Sequence, residues 1–383
     1  MKIVYCLAGT YNSGGMERIV INKANWLALQ GYDVTIVTTE QDGRLDFFPL
    51  HKNVKRIDLN ILYSKTNSFK VIKKGVSRYR LQKKHKTKLT DLLLSIKPNI
   101  VISTFGNEVG FLPSIKDGSI KIAEIHFSRW YRLQLNRTGI WKLIDKYLTY
   151  TDFKILKKYN RFVCLTNEDK QNWSGITNIE VIPNFIDSRA MSPAPLRAKS
   201  MIAVGRLSYQ KGYDRLIRAW SIVAMNYPDW RLNIFGGGEL KDKLIRQISE
   251  LDLSKQIQIH NPTNEIIKEY YRNSGLILSS RYEGLPMVIL EGMSVGLPII
   301  SFDCQCGPKD LIKDGVNGLL VEEGNITDMA NAIKSIINNA DLRENMGANA
   351  FEDAKNFDMD SVMEKWTALF NSLAVELTNS NLQ

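Results

Sequence analysis

Short apolar runs alternate with longer stretches of helical spacing along most of this chain, the pattern of strand-helix-strand units on parallel sheets. KIVYCLA opens the series as a strand. A loop with Gly14 and Gly15 follows. Met16 to Gln30 then places Ile19, Val20, Ala24 and Leu27 at helical spacing, Gly31 stops the helix, and DVTIVTT is the next strand. A right-handed crossover is expected for such a unit. KPNIVIST (97–104), KIAEIHF (121–127) and RFVCLTN (161–167) read as further buried strands, divided by helical stretches such as TGIWKLIDKYLTYTDFKILKKY. IEVIPNFID (179–187) closes a first half, and SRAMSPAPLRAKS, with two prolines and no periodicity, reads as a linker.

The second half repeats the alternation. SMIAVGRLSYQKGYDRLIRAWSIV is strand, loop and helix, and RLNIFGGGELKDKLIRQISEL is another such unit. GLILSS (275–280) ends at a turn, a helix opens with Pro286 in its first position, and LPIISF follows Gly296 as a strand. From Thr327 the pattern is helical. The expected fold is α/β, with two Rossmann-like doubly wound parallel-sheet domains at 1–190 and 197–357 and a C-terminal helical segment at 358–383.

Composition changes this picture little. With 383 residues, 44% hydrophobic and 24% charged, the chain fits two globular domains. No apolar run approaches the ~20 residues that span a bilayer, and the start lacks a secretory layout, so a cytoplasmic location is expected. Cys6, Cys164, Cys304 and Cys306 read as free buried thiols rather than a disulfide framework or a zinc site.

Charge adds more. The excess of 51 Lys and Arg over 40 Asp and Glu concentrates in residues 65–88, which hold Lys65, Lys70, Lys73, Lys74, Arg78, Arg80, Lys83, Lys84, Lys86 and Lys88 with no acidic residue. Phe69, Val71, Ile72, Val76, Tyr79 and Leu81 interleave. Such a segment is a solvated basic helix, a grip on nucleic acid, or an amphipathic surface for an anionic membrane. Among the functional readings the membrane is preferred, because no nucleic-acid module is recognisable.

The candidate chemistry lies at strand C-terminal ends, where open α/β sheets collect ligands. Glu283 stands just before the helix that starts near Pro286, and Glu291 lies inside it. The free amides and positive end of that helix favour an anion, while the two carboxylates accept from hydroxyls. A ligand with both features is a nucleotide sugar. Arg206 and Lys211 straddle the loop after an earlier strand, and Gly236, Gly237 and Gly238 allow a backbone to pass close to a nucleotide. His126 ends a strand of the first half. The only Asp-x-Asp pair, Asp358 and Asp360, precedes a C-terminal helix and reads as capping rather than as a metal site.

The Gly14-Gly15 pair, GRLSYQKG (205–212) and EGLPMVILE (283–291), in this order, resemble the retaining glycosyltransferases of family four, which have the GT-B fold of two facing domains with a last helix crossing back onto the first. The resemblance implies roles for matching positions. Arg206 and Lys211 bind the donor diphosphate and stabilise the leaving group. Glu283 contacts donor-sugar hydroxyls and Glu291 the ribose, while Gly284, Leu285, Pro286, Met287 and Val288 line the phosphate with backbone. Gly14 and Gly15 touch diphosphate or acceptor, and His126 lies near the anomeric region. Asn184 and Asp187 in IPNFID match the hinge motif. SFDCQCGPKDLI resembles members that use UDP-sugars. The implied function is metal-independent transfer of a hexose or N-acetylhexosamine to a lipid-linked or other glycan acceptor in surface-polysaccharide synthesis, at the inner face of the plasma membrane, with no cofactor beyond the donor. A non-catalytic sugar-nucleotide binder and a GT-B epimerase are the alternatives. A dinucleotide dehydrogenase would want GxGxxG in the first loop, which is not there.

Overall fold

A computed structural model describes residues 1–135, 137–187 and 192–380, so Ser188 to Met191, the start of the expected linker, lie outside the described residues. The chain divides into two units. The first holds Met1–Leu165, Lys170–Ile182 and the chain from Met363 on; the second holds Thr166–Asp169 and Pro183–Val362.

The first unit carries strands β1 (Lys2–Leu7), β2 (Asp33–Thr38), β3 (Lys55–Asp58), β4 (Ile100–Ser103), β5 (Ile120–Glu124), β6 (Arg161–Cys164) and β7 (Ile179–Val181). They form one parallel sheet in the order β3-β2-β1-β4-β5-β6-β7. Its helices are α1 (Gly15–Leu29), α2 (Val71–Ile96) and α3 (Ile140–Leu156), with the short α4 (Asn167–Asn172) at the border of the units. The strand order reverses between β1 and β4, which opens a crevice at their C-terminal ends. Gly31 stops α1 with φ +84°, a conformation that costs glycine little.

Both faces of this sheet are buried, which explains the continuous apolar runs. On one face Val4, Cys6, Val101 and Phe162 pack with Leu89 and Leu93 of α2 and Leu156 of α3. On the other, Tyr5 lies under α1, with Lys23 Nζ 5.5 Å from its ring centroid.

The second unit carries β8 (Ser200–Val204), β9 (Arg231–Phe235), β10 (Ile257–His260), β11 (Leu276–Leu278), β12 (Ile299–Phe302) and β13 (Gly318–Val321), parallel in the order β10-β9-β8-β11-β12-β13. Its helices are α5 (Tyr213–Ala224), α6 (Lys241–Glu250), α7 (Ile266–Tyr271), α8 (Met287–Ser294), α9 (Pro308–Leu311), α10 (Ile326–Asn338) and α11 (Ala340–Asp353). Fully buried Trp220 packs with Leu216, Ile217, Ile234 and Ile333 at the centre. Asn325 and Asn339 cap α10 and α11 by accepting from Asp328 N and Leu342 N, each worth about 1 kcal/mol. The last helix, α12 (Met359–Ser380), starts in the second unit and continues into the first.

Three details differ from the sequence pattern. The first unit's main run stops at Ile182 rather than near 190, because Ile186 N donates to Phe357 O at 2.9 Å and draws Pro183 to Asp187 into the second unit. Thr166–Asp169 also belongs to the second unit, where Glu168 Oε2 accepts from Cys306 N at 3.0 Å. Pro286 is the N-cap of α8 and not its first helical residue; its ψ of 93° is extended, and it packs so tightly on Gly307 that a Cβ there would meet its ring. Among the described residues no helix is long and apolar enough to cross a membrane. All four cysteines are buried thiols.

Candidate functional site

In the second unit the loops after β8 and β11 are bound to each other. Gly212 has φ +65°, and a Cβ there would collide with Ser279 O, so only glycine lets the loop pass this close. Ser279 Oγ donates to Lys211 O at 2.8 Å, Arg281 N to Gln210 O at 2.7 Å, and Gln210 Nε2 to Tyr282 O at 3.1 Å. Arg281 grips both oxygens of Asp214 at 2.9 and 2.7 Å and stacks 4.1 Å from the Tyr209 ring centroid. Burial would raise the Asp214 carboxyl, but Arg281 overcomes it and holds it below the usual carboxylate range.

This frame sets Lys211 beside Glu283. Lys211 Nζ lies 2.6 Å from Glu283 Oε1, and Ser280 Oγ donates to the same oxygen at 2.5 Å. Glu283 is buried and fixed by its backbone, whose amide donates to Gln305 O at 3.1 Å. Burial, helped by Glu283, pushes the hydroxyl of nearby Tyr213 well up. Arg206 on the same loop is exposed, and its guanidinium has no ion pair among the described residues. Gly236, at the end of neighbouring β9, is pressed against Gly205, whose carbonyl would collide with a Cβ.

Beyond Glu283, half-buried Gly284 and buried Leu285 and Pro286 lead into α8, where Met287 and Val288 are half-buried. The amides of this first turn lack intrahelical acceptors. Glu291 lies farther along α8 and accepts from Tyr270 OH at 2.9 Å. The structure therefore sets Lys211 against Glu283 and Gly236 against Gly205, with Arg206 on the same loop as Lys211 and with Gly284 to Val288 and Glu291 following Glu283 into α8. Buried Asn184 and exposed Asp187 belong to the same unit.

Gly14, Gly15 and His126 belong to the first unit. Gly14 is the N-cap of α1, and a Cβ on Gly15 would meet nothing within 4 Å. The His126 side chain is 6% exposed, with Nε2 3.1 Å from Glu124 Oε1 but off the line of a well-formed hydrogen bond. Lys23 Nζ is 2.7 Å from both Glu124 oxygens and 3.5 Å above the Trp366 ring centroid. Burial would raise the Glu124 carboxyl, yet Lys23 and then His126 hold it at about 2. Burial lowers Lys23 to about 8, with Glu124 opposing the fall, so the pair is ionised at neutral pH.

Sequence reasoning did not single out Ser280, Arg281, Asp214, Tyr270, Lys23 or Glu124. Lys23 did leave a signal: it sits between Ile19 and Leu27 on the apolar stripe of α1, where a lysine needs a buried partner. Among the described residues no cluster of three or more His, Cys, Asp or Glu side chains is placed to hold a metal ion. Chemically, these segments of the second unit offer a cation without an ion pair among the described residues (Arg206), a paired cation (Lys211), the amides at the start of α8, and two carboxylates, Glu283 and Glu291.

Comparison with known proteins agrees along the chain. The family model described as Glycosyltransferase Family 4 matches residues 13–189, and that described as Glycosyl transferases group 1 matches 184–353. The amylovoran biosynthesis glycosyltransferase AmsD of Erwinia amylovora is 26% identical over 386 residues, covering 97% of this chain and 99% of that protein. A Campylobacter jejuni α-1,4-N-acetyl-D-galactosaminyltransferase named for a diNAcBac-PP-undecaprenol acceptor is 24% identical over 374 residues, covering 96% and 98%. A solved complex of an S. aureus TarM variant with fondaparinux, α-GlcNAc-glycerol and UDP superposes with a TM-score of 0.77 at 18% identity, covering 97% and 99%.

Proposed function

Since the chain is a glycosyltransferase with the GT-B fold, we propose that it moves a hexose or N-acetylhexosamine from a UDP-sugar, with retention of configuration and without a metal ion, to a lipid-linked or other glycan acceptor in surface-polysaccharide synthesis. The observation that carries this reading is the Lys211–Glu283 pair beside the start of α8. As the glycosidic bond breaks, charge builds on the leaving diphosphate. Arg206, Lys211 and the backbone N–H groups of Leu285, Met287 and Val288 supply stabilisation there, which is the service a metal ion gives elsewhere. Glu283 accepts from donor-sugar hydroxyls and Glu291 from the ribose. Gly236 lets the nucleotide approach, Gly14 and Gly15 the diphosphate or acceptor, and His126 serves the anomeric region.

Support for the finer points comes from relatives. The UDP in the TarM complex favours a uridine nucleotide, the name of the Campylobacter relative a lipid-linked acceptor, and amylovoran a surface polysaccharide. An acceptor anchored in a bilayer also suits an enzyme that rests on the inner face of the plasma membrane. Helix α2 bears the basic residues, with Val71, Ile72, Val76 and Tyr79 exposed among them. Helix α3 exposes Ile140, Trp141, Leu143, Tyr147 and Tyr150. Both pack on the same face of the sheet, so their outer sides look the same way.

The test is a panel of radiolabelled nucleotide sugars with lipid-linked acceptors, with and without chelator. Transfer from one UDP-sugar that survives chelation, with the anomeric configuration kept, is the expected result. Loss on chelation would remove the metal-free clause, an inverted product the retaining one, and binding without transfer would favour a non-catalytic binder.

A further inference from the structure

A hollow of about 480 Å³ lies between the loop at Asn60–Thr66 and helix α2 of the first unit. Lys65, Arg80 and Lys84 line it, and no carboxylate does. None of the three cations has an ion pair among the described residues, so no contacting carboxylate offsets their mutual repulsion. Ile61, Phe69 and Leu81 make up the apolar part of the wall. Leu62, also on it, is held at φ +60°, a left-handed conformation that a leucine adopts only when its surroundings impose it. Ser77, Arg80, Leu81 and Lys84 share one stripe of α2, and the neighbouring stripe presents Ile72, Val76 and Tyr79 to solvent. A hydrocarbon chain leaving the hollow thus meets an apolar track.

We propose that this hollow binds the phosphate end of an anionic amphiphile, with Lys65, Arg80 and Lys84 on the phosphate oxygens and Ile61, Phe69 and Leu81 against the first carbons of its chain. Unpaired cations alone would suit any anion. Their position over an apolar wall selects a phosphate ester of a hydrophobic alcohol. Such an ester is either a lipid diphosphate or a phospholipid headgroup. That the former is the glycan acceptor rests on the function proposed above, whereas binding itself does not.

The experiment titrates the full-length protein with three soluble probes: farnesyl diphosphate, dihexanoyl phosphatidylglycerol below its micelle concentration, and inorganic pyrophosphate. No donor is present, so the outcome does not depend on whether transfer occurs. Arg80→Ala/Lys84→Ala should weaken an amphiphile about tenfold or more, and Lys83→Ala/Lys86→Ala, with the same charge loss off the stripe that lines the hollow, less than about twofold. All four side chains are exposed, so the fold should hold. Loss with farnesyl diphosphate supports a lipid-diphosphate site, and loss with the phosphatidylglycerol alone supports a headgroup site. Equal losses in both double variants, no loss in either, or pyrophosphate binding as tightly as the amphiphiles would overturn the proposal.

Discussion

Lys211 Nζ lies 2.6 Å from Glu283 Oε1, a cation and a carboxylate from two strand ends that neutralise each other with 17% and 7% of their side chains exposed. On the proposed function, a diphosphate arriving at Lys211 would compete with Glu283 for the same ammonium and free the carboxylate to accept from sugar hydroxyls. Lys211→Met should therefore lower kcat/KM at least ~100-fold, about 3 kcal/mol, and Glu283→Gln comparably. Stability separates the two contributions. Lys211→Met strands a buried charge and should lower the urea midpoint, and Lys211→Met/Glu283→Gln should restore that midpoint without restoring transfer. Wild-type transfer in either single variant would take that residue out of the site.

Two glycines should behave oppositely. Gly15→Ala adds a methyl where nothing lies within 4 Å, so thermal unfolding should be unchanged or improved by up to about 1 kcal/mol. A raised KM in that variant would then report a ligand against the backbone. Gly236→Ala drives a Cβ into Gly205 O and should cost roughly 1–3 kcal/mol of stability by calorimetry. An unchanged KM in Gly15→Ala would remove the first loop from the site.

Buried Lys23 and Glu124 predict an acid-labile first unit. Glu124 titrates lower folded, at about 2, than unfolded, so it binds its proton more weakly in the fold. Its stabilisation is complete above the unfolded carboxylate pKa of ~4.3 and is lost as pH falls toward the folded one. Urea midpoints should drop through that window in the wild type and less in Lys23→Met/Glu124→Gln. Lys23→Met alone should lose ~3–5 kcal/mol at neutral pH. Equal acid sensitivity of wild type and double variant would reject the assignment.

Vesicle flotation tests the membrane surface. Neutralising Lys73, Lys74 and Lys83 should weaken binding to anionic vesicles by about 3 kcal/mol, roughly one per lysine, and added salt should mimic it. Trp141→Ser/Tyr147→Ser should weaken it at any salt. Undiminished flotation in both variants would refute the reading.

Much of the fold was legible because parallel strands buried on both faces write themselves as unbroken apolar runs, and because Gly31 marks a helix end where its φ requires it. Strand β3 left no such trace: KRID is a polar edge strand. The residues around Glu283 were readable since one continuous stretch carries amides and carboxylate together. Arg281–Asp214, Tyr270–Glu291 and Lys23–Glu124 were not, because pairs 21 to 101 positions apart are created only when the sheet orders its strands. Periodicity also says which residues share a side of α3, but not that Trp141 and Tyr147 stay exposed.

Trp366 of α12 lies flat on Lys23, although the sequence places them at opposite ends of the chain. During synthesis, the amino-terminal sheet must wait for nearly the whole polypeptide to emerge before its buried ammonium gains that aromatic lid. Until then this half is an unfinished fold with an open seam, and a ribosome that stalls inside the second half would leave behind a first domain that a protease could unpick.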